Sequence, residues 1–347
     1  MSTMMEKEAR EAPFVVERQL RENVGVWTAL SERLRREKVP FAVSIARGSS
    51  DHAATFLKYI LEVYFGIPTC SAAPSVLTVY QKTLRLNQAL VLGISQSGKS
   101  PDIVEMMKSA RDSGAITVSI LNCVDSPLAE VSEYVIPIWG GVEEAVAATK
   151  SYLGSLSAIL QFIAIYQEDA SLKRALEQLP LAMNEALSQD WTALSEGLTK
   201  ETDAVILGRG FGYPIAQETA LKLKETSALH AEAFSSAEFL HGPMGMIREG
   251  FPALLYLQND ATLAGSLTTA ERILKAKARV FAACPQGLIT SSQNFQGEIL
   301  SLPKSLHFLT DPLVAIQAFY RMAAGLSLAR GLNPDQPPLL KKVTETR

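Results

Sequence analysis

Residues 89–101 read Ala-Leu-Val-Leu-Gly-Ile-Ser-Gln-Ser-Gly-Lys-Ser-Pro. The first six form a short apolar run with the length of a buried strand, and Pro101 suits the first turn of a helix. A strand, a serine-rich loop and a helix in this order are typical of a parallel sheet covered by helices. The stretch therefore predicts an α/β fold.

The same alternation of strand, loop and helix continues on both sides of this stretch and recurs in the second half of the chain. Further apolar runs lie at Phe41–Ala46 and Ile116–Leu121. Asp203–Gly210 resembles Phe41–Gly48 at an offset of 210 − 48 = 162, and the run that begins at Phe251 matches the run that begins at Gln88 at 251 − 88 = 163. Two matches at nearly one offset predict an internal duplication. The second copy has Gln258-Asn-Asp-Ala in place of the serine loop, so we expect one such loop per chain.

The predicted domains are 1–186, 187–332 and an irregular tail, 333–347. The uncharged run from Ser151 to Gln167 falls short of the ~20 residues that span a bilayer and is predicted to be a helix buried between the domains. A polar helical stretch, 168–200, would link the two copies. The tail after Gly331 is rich in proline, so a frayed end is the first interpretation.

Composition narrows the classes of function. The 347 residues include 47% hydrophobic and 20% charged residues, as in ordinary globular domains, and the net charge is −3 without a basic stripe. Nucleic acid is therefore not an expected partner. Three cysteines far apart indicate neither a disulfide framework nor a zinc site, and the charged N-terminus lacks a secretory signal. We expect a cytoplasmic protein that has no contact with a membrane.

The serine loop has the chemistry of a phosphate site. Ser95, Ser97 and Ser100 supply hydroxyls, Gly98 permits close approach, and a helix N-terminus presents free amides. Ser50, after the preceding strand, adds a hydroxyl at the same edge of the sheet. A serine-rich turn in which Ser100 caps the helix is the alternative. The loop is not a nucleotide P-loop, because G-x-x-x-x-G-K-[ST] is absent, and the glycines at 208–212 have the wrong spacing for a dinucleotide site.

A second group of reactive side chains lies in the segment 220–243. Lys222 and Glu225 share a helix face, and Glu218 lies one turn before Lys222. A solvated ladder of ion pairs is the alternative interpretation. His241 precedes Gly-Pro and is therefore expected in a turn.

Together these motifs resemble one family. SQSG, LGRG-x-x-YPIA, ALKLKE, HAEA, HGP and a C-terminal DQP followed by a lysine are similar to the isomerase half of glutamine–fructose-6-phosphate amidotransferase. That half consists of two tandem sugar-isomerase (SIS) domains. The resemblance covers nearly the whole chain and implies two parallel-sheet αβα sandwiches of the doubly wound type.

The resemblance also implies roles for matching positions. Glu225 would move a proton between C1 and C2 of a sugar phosphate, Lys222 would support it electrostatically, and Lys342 would form a Schiff base with the ketose. With Lys342 in this role, the resemblance implies that the tail 333–347 closes on the active site, which replaces the interpretation as a frayed end. His241 would open the sugar ring from the neighbouring subunit of a homodimer. No metal and no organic cofactor is implied. The substrate and its phosphate would be held by Gly48, Ser50, Ser95, Gln96, Ser97, Ser100, Val146 and Ala148.

The sequence departs from the family pattern at several of these places. The family's Cys-Gly-Thr-Ser is Arg47-Gly-Ser-Ser50, and its SQSGET is SQSGKS, with Lys99 in place of an acid. Its V-A-S-T-K is Val146-Ala-Ala-Thr-Lys150, which loses a hydroxyl at Ala148. No glutaminase domain precedes the pair, so we expect no release of ammonia from glutamine.

These features predict a glucosamine-6-phosphate deaminase that yields fructose 6-phosphate and ammonia. One alternative is an ammonia- or glutamine-dependent aminotransferase that runs the reaction in reverse. Another is a related enzyme for galactosamine 6-phosphate or a glycated amine phosphate. A sugar-phosphate-sensing regulator would need the serine loop but not Glu225, Lys222 and Lys342 together.

Overall fold

The computed structural model describes residues 2–290 and 295–342, which contain two five-stranded parallel sheets. The first sheet has the order β2-β1-β3-β4-β5, and the second has the matching order β7-β6-β8-β9-β10. The strands are β1 (Ala42–Ile45), β2 (Thr69–Ser71), β3 (Leu90–Ser95), β4 (Ile116–Leu121), β5 (Tyr134–Pro137), β6 (Asp203–Gly208), β7 (His230–Ser235), β8 (Pro252–Tyr256), β9 (Arg279–Pro285) and β10 (Glu298–Leu302).

Helices follow the strands, as the connections of a parallel sheet require. A π-helical turn, Leu61–Phe65, extends α3, and short 3₁₀ turns lie at Gly210–Gly212 and Pro243–Met246. The helices are α1 (Met4–Glu22), α2 (Val24–Arg36), α3 (Ser49–Ile60), α4 (Ser75–Thr78), α5 (Pro101–Asp112), α6 (Pro127–Glu130), α7 (Lys150–Tyr166), α8 (Ala170–Ala186), α9 (Thr192–Leu198), α10 (Tyr213–Ser227), α11 (Ser236–Phe239), α12 (Leu263–Lys275) and α13 (Asp311–Ala329).

The predicted α/β fold and its internal repeat are confirmed. β3 begins at Leu90 and β8 at Pro252, an offset of 252 − 90 = 162, and both strands occupy the centre of their sheets. β4 begins at Ile116 and β9 at Arg279, an offset of 279 − 116 = 163. The edge strands β2, β5, β7 and β10 escaped the sequence analysis, because they are short or alternate with polar residues.

Burial explains why the central strands read as continuous apolar runs. Every residue of β3 and β4 is buried, since helices cover both faces of the sheet. In the first sheet Val43, Val91 and Leu121 pack with Ile103 and Met107 of α5. The second sheet has a corresponding core around Val205, Leu255 and Ala282. Each sheet thus has its own hydrophobic core.

The chain divides into two compact units. The first-sheet unit comprises the described residues of 14–143, 150–177 and 341–342, and the second-sheet unit those of 2–13, 144–149 and 178–340. This division differs from the predicted domains, because 2–13, 144–149 and 178–186 belong to the second-sheet unit. The tail up to 340 also belongs to that unit. The described part of the tail forms no regular element.

Two helices stand out by their burial. Every residue of α7 from Lys150 to Ala164 is buried, as expected for the apolar run. Among the described helices, only α13 is long and apolar enough to cross a membrane, and 78% of that window is buried inside the protein. A core helix has these properties.

Arg330, just beyond α13, joins the ends of three helices. Its guanidinium donates to the carbonyl of Ser227 (2.7 Å) and to those of Leu198, Thr199 and Glu201 (2.9 Å each). The last carbonyls of a helix have no partner within the helix, so the guanidinium supplies hydrogen-bond donors to the C-terminal ends of α9 and α10.

We predict that Arg330→Ala lowers the free energy of unfolding by about 2–3 kcal/mol, because several carbonyls lose a charged donor. Arg10→Ala, which removes an exposed i,i+4 pair with Glu6, is the control and should cost less than about 0.5 kcal/mol. Urea titration of both variants measures the difference. Equal losses would contradict the assigned role.

Candidate active site

The serine loop is folded around Gly98. This glycine has φ +64°, and a Cβ added to it would lie 2.2 Å from Oγ of Ser126. Ser95 Oγ accepts a hydrogen bond from the Gly98 amide (3.0 Å), and Ser97 Oγ accepts one from the Lys99 amide (3.3 Å). Only glycine fits this turn, which places four polar side chains, those of Ser95, Gln96, Ser97 and Ser100, between β3 and α5.

The segment 48–50 reaches the same edge of the first sheet. β1 and β3 are parallel neighbours with Ile45 opposite Gly93, so the loops that follow them lie side by side. Gly48 has φ +55° and precedes α3, whose first turn contains Ser50. The structure therefore brings together the predicted phosphate residues of the first half: Gly48, Ser50, Ser95, Gln96, Ser97 and Ser100.

The predicted capping role of Ser100 is wrong. Ser100 occupies the N-cap position of α5, but its hydroxyl forms no capping hydrogen bond. The carboxylate of Asp102 accepts from the Ile103 amide instead (2.9 Å). The serine-rich turn of the alternative interpretation is present, since Ser95 and Ser97 accept from amides within it, but the cap by Ser100 is not.

Arg47, a departure from the family pattern, is paired within this edge. Its Nη2 lies 2.7 Å from Asp102 Oδ2; the carboxylate is 2% exposed and the guanidinium 52% exposed. Asp51, in the first turn of α3, was missed by the sequence analysis. Burial raises the pKa of Asp51, and the nearby His52 and Arg47 oppose that shift. Lys99 is exposed.

The described loop after β8, at the corresponding edge of the second sheet, has Gln258, Asn259 and Asp260 where the first sheet has serines. Asp260 Oδ1 accepts from the amide of Thr262 (2.8 Å), just before α12. Gln258, at the end of β8, is buried, and its Oε1 would lie 3.2 Å from a Cβ on Gly212. The two copies therefore share a fold but differ in the polar side chains of these loops.

The second group of predicted residues lies on α10. Lys222 is 0% exposed. Its Nζ lies 2.5 Å from Glu225 Oε2 and 3.3 Å from Glu218 Oε1. The Glu225 side chain is 20% exposed, whereas Glu218 is buried. A solvated ladder of ion pairs is therefore the wrong interpretation of these charges.

Glu218 has a further partner on α13. The hydroxyl of Tyr320 donates to Glu218 Oε1 (3.1 Å). Burial alone would lower the pKa of Lys222, but the carboxylates of Glu218 and Glu225 outweigh it and raise that pKa. Lys222 is thus held as a cation, and Glu225 is the partner that reaches solvent.

The tail lysine is anchored in the first-sheet unit. Lys342 Nζ donates to Glu143 Oε2 (2.9 Å). The buried Glu143 also accepts from the amide (3.1 Å) and the hydroxyl (2.7 Å) of Ser151, in the first turn of α7. Glu143 was not among the residues predicted from the sequence. An acidic residue shortly before an apolar helix was the available signal, since carboxylates favour helix N-termini.

The remaining predicted residues lie in the second-sheet unit. Val146 and Ala148 are half-buried, and the Val146 amide donates to the carbonyl of Asp335 (3.1 Å). His241 is exposed, and its amide donates to the carbonyl of Glu238 (2.9 Å). Within residues 2–290 and 295–342, no hydrogen bond or ion pair joins His241 to Glu225.

Comparison with known proteins supplies a family context. The sequence pattern of the SIS domain matches residues 40–165 and 197–294. The glutamine–fructose-6-phosphate aminotransferase (isomerizing) of Aquifex aeolicus is 32% identical over 86% of this chain and 50% of its own length. The chain thus spans about half the length of the curated relatives it matches.

Two solved structures are similar over almost the whole chain. A protein from Silicibacter pomeroyi with the provisional name phosphosugar isomerase is 41% identical, with a TM-score of 0.89 over 96% of this chain and 100% of that one. The C-terminal domain of glucosamine–fructose-6-phosphate aminotransferase from Francisella tularensis has a TM-score of 0.86 over 97% of this chain and 99% of that one. At 24% identity, the second likeness concerns the fold alone.

We predict that Lys222→Met lowers the free energy of unfolding by about 3 kcal/mol or more, because Glu218 becomes an uncompensated buried charge. Adding Glu218→Gln should recover part of that loss. The raised pKa of Lys222 means that its contribution is complete below the unfolded value of about 10.4 and is lost as pH rises through the higher folded value. Denaturant titration between pH 7 and 11 measures both effects. A loss below about 1 kcal/mol would contradict the assignment.

Proposed function

Because the chain belongs to the SIS-domain family, we propose that it converts glucosamine 6-phosphate into fructose 6-phosphate and ammonia. The observation that carries the proposal is the Lys222 ammonium, buried between two carboxylates of which only Glu225 reaches solvent. A carboxylate beside a fixed cation can remove a proton from carbon while the cation stabilises the negative charge that develops.

The serine loop would anchor the phosphate of the substrate. Its hydroxyls can donate to a phosphate dianion, and the positive end of the α5 helix dipole favours a negative charge at this place. This contact would be the same in the substrate and in the transition state, so it would contribute to affinity more than to rate. Ser97 represents it best, because its side chain is partly exposed within the loop.

The proton transfer would begin from the open-chain aldehyde. His241 of the partner subunit in a homodimer would open the ring, as the family resemblance implies. Glu225 would then take the proton from C2 and return it to C1, while a proton passes from the amine nitrogen to O1. The aldehyde and amine thereby become the C1 hydroxyl and C2 imine of the ketose. Lys222 would stabilise the enolamine between these two states.

Ammonia would leave in the last stage. The amine of Lys342, after losing a proton, would attack C2 of the imine and displace ammonia. The lysine nitrogen then forms the Schiff base with the ketose. Water would then add to C2, release fructose 6-phosphate and regenerate the lysine. Glu143, 2.9 Å from Lys342 Nζ, is the base within reach of that ammonium.

An aminotransferase that makes glucosamine 6-phosphate is the second candidate. The observation that favours it is the 32% identity to the Aquifex aeolicus aminotransferase. The same residues catalyse either direction, because a catalyst lowers one barrier for both. The nitrogen donor, ammonia or glutamine, then defines the activity.

A panel of substrates tests the proposal. Glucosamine 6-phosphate, galactosamine 6-phosphate and a glycated amine phosphate should be compared for ammonium release, with fructose 6-phosphate plus ammonium or glutamine as the reverse assay. We expect ammonium and fructose 6-phosphate from glucosamine 6-phosphate. Release from another substrate only would replace the proposed substrate. Binding without turnover of any substrate would favour a sugar-phosphate sensor.

Glu225→Gln should lower kcat by about 10²–10⁴-fold and leave KM nearly unchanged, because the amide keeps the shape but cannot accept the proton. Ser97→Ala is the matched variant and should raise KM with little effect on kcat. Steady-state kinetics on both variants separates the two roles. A kcat of Glu225→Gln within threefold of the wild-type value would refute the assignment of Glu225 as the base.

Mixing two inactive variants tests the shared site. Glu225→Gln and His241→Ala homodimers should each be nearly inactive. After subunit exchange, about half of the dimers are mixed, each with one intact site of two, so activity should return to about a quarter of wild type. No recovery despite demonstrated exchange, with His241 shown to be essential, would place both residues in one chain's site.

A further inference from the structure

We propose that Asp335 is a positioning residue for the active site, which fastens the C-terminal tail to α1 and to the segment 144–148. The inference rests on the proposed function, because Val146, Ala148 and Lys342 are the site residues that it would position. Asp335 belongs to the Asp-Gln-Pro motif of the tail.

The carboxylate of Asp335 caps the longest helix of the N-terminal region. Oδ2 accepts from the Met4 amide (2.8 Å), and Oδ1 accepts from the Met5 amide (2.7 Å). The first amides of a helix have no partner within it, and a negative charge also favours the positive end of the helix dipole. Both carboxylate oxygens are therefore used on a helix that lies some 330 residues away in sequence.

The same residue holds the substrate segment from the other side. Its backbone carbonyl accepts from the Val146 amide (3.1 Å). Glu8 of α1 is buried, and its carboxylate accepts from the amides of Glu144 and Ala145. Three consecutive amides, 144–146, thus depend on α1 and on the tail residue that caps it.

Residues on both sides of Asp335 restrict the conformation of the tail. Pro334 and Pro337 are buried on either side of Asp335, and the Asn333 side chain accepts from the Asp335 amide (3.0 Å). Prolines restrict the unfolded chain, so ordering this stretch costs less entropy. Residues 338–341 are exposed, and Lys342 is then held by Glu143. Asp335 is accordingly the anchor from which the exposed stretch leads to Lys342.

The consequence is a prediction about rate rather than affinity. Releasing Asp335 would loosen the tail around it and the segment 144–148 together, while the serine loop keeps its own supports. Misplacing a reacting group by about 1 Å can cost about 10²-fold in rate. A residue that only stabilised the fold would lower the amount of folded enzyme without changing the kcat of what remains folded.

The test compares two helix-capping aspartates. Asp335→Ala removes the cap of α1, and Asp169→Ala removes a similar cap at α8, where Asp169 accepts from the amides of Ser171 (2.8 Å) and Leu172 (3.0 Å). We expect Asp335→Ala to lower kcat by about 10–100-fold with KM within about threefold of wild type. Asp169→Ala should leave both constants nearly unchanged. Asp335→Asn, which keeps one acceptor oxygen, should lie between wild type and Asp335→Ala.

A second readout does not depend on the proposed activity. Hydrogen exchange with mass spectrometry should show faster exchange in peptides that cover 2–8, 144–148 and 332–342 for Asp335→Ala only, and trypsin should cut sooner after Lys341. Unchanged exchange in these peptides, or equal effects of the two variants on kcat, would overturn the inference. If wild type turns over no amino-sugar phosphate, the proposed function fails, and the exchange data still decide whether Asp335 anchors the tail.

Discussion

The buried ammonium of Lys222 determines which charged and polar groups must lie beside it on α10 and α13. A charge removed from water must be compensated nearby, and two carboxylates on the same helix do this at 2.5 and 3.3 Å. Glu218 needs a donor in turn, which Tyr320 supplies from α13. The packing of α10 against α13 is therefore fixed by polar partners as well as by apolar contact. Glu225 is the member of this network whose side chain remains open to solvent. The arrangement that compensates the buried charge of Lys222 therefore also leaves one carboxylate accessible from solvent.

The parallel sheet imposes the second constraint. Loops that follow neighbouring strands meet at one edge, which is why Ser50 and the serine loop adjoin although some 45 residues separate them. The second sheet repeats the strand order, yet its loop after β8 has Gln258, Asn259 and Asp260 in place of serines. Among the described residues the repeated fold thus has one serine loop of this kind, because the topology repeats while the side chains of the loops do not.

Side chains that serve backbone groups recur at the ends of the chain. Arg330 satisfies helix carbonyls, Asp335 satisfies helix amides, and Glu8 holds the segment 144–145. Such contacts substitute for regular structure in segments that have none. They explain why a proline-rich tail, which composition alone marks as a frayed end, instead has defined partners on both sides of its exposed stretch.

The sequence by itself determined the α/β class, the repeat at 162–163 residues, the serine loop and the pairing of Lys222 with Glu225. Each of these is a local pattern, set by period, spacing or turn chemistry within a few residues. Only the tertiary structure decided that Lys222 is buried, that Glu143 receives Lys342, and that Asp335 caps α1. Those contacts join residues between about 100 and 330 positions apart, or depend on burial by distant elements, and no local pattern specifies such partners. The edge strands were missed for a related reason: their pairing to a neighbouring strand stabilises them more than their own short sequences do.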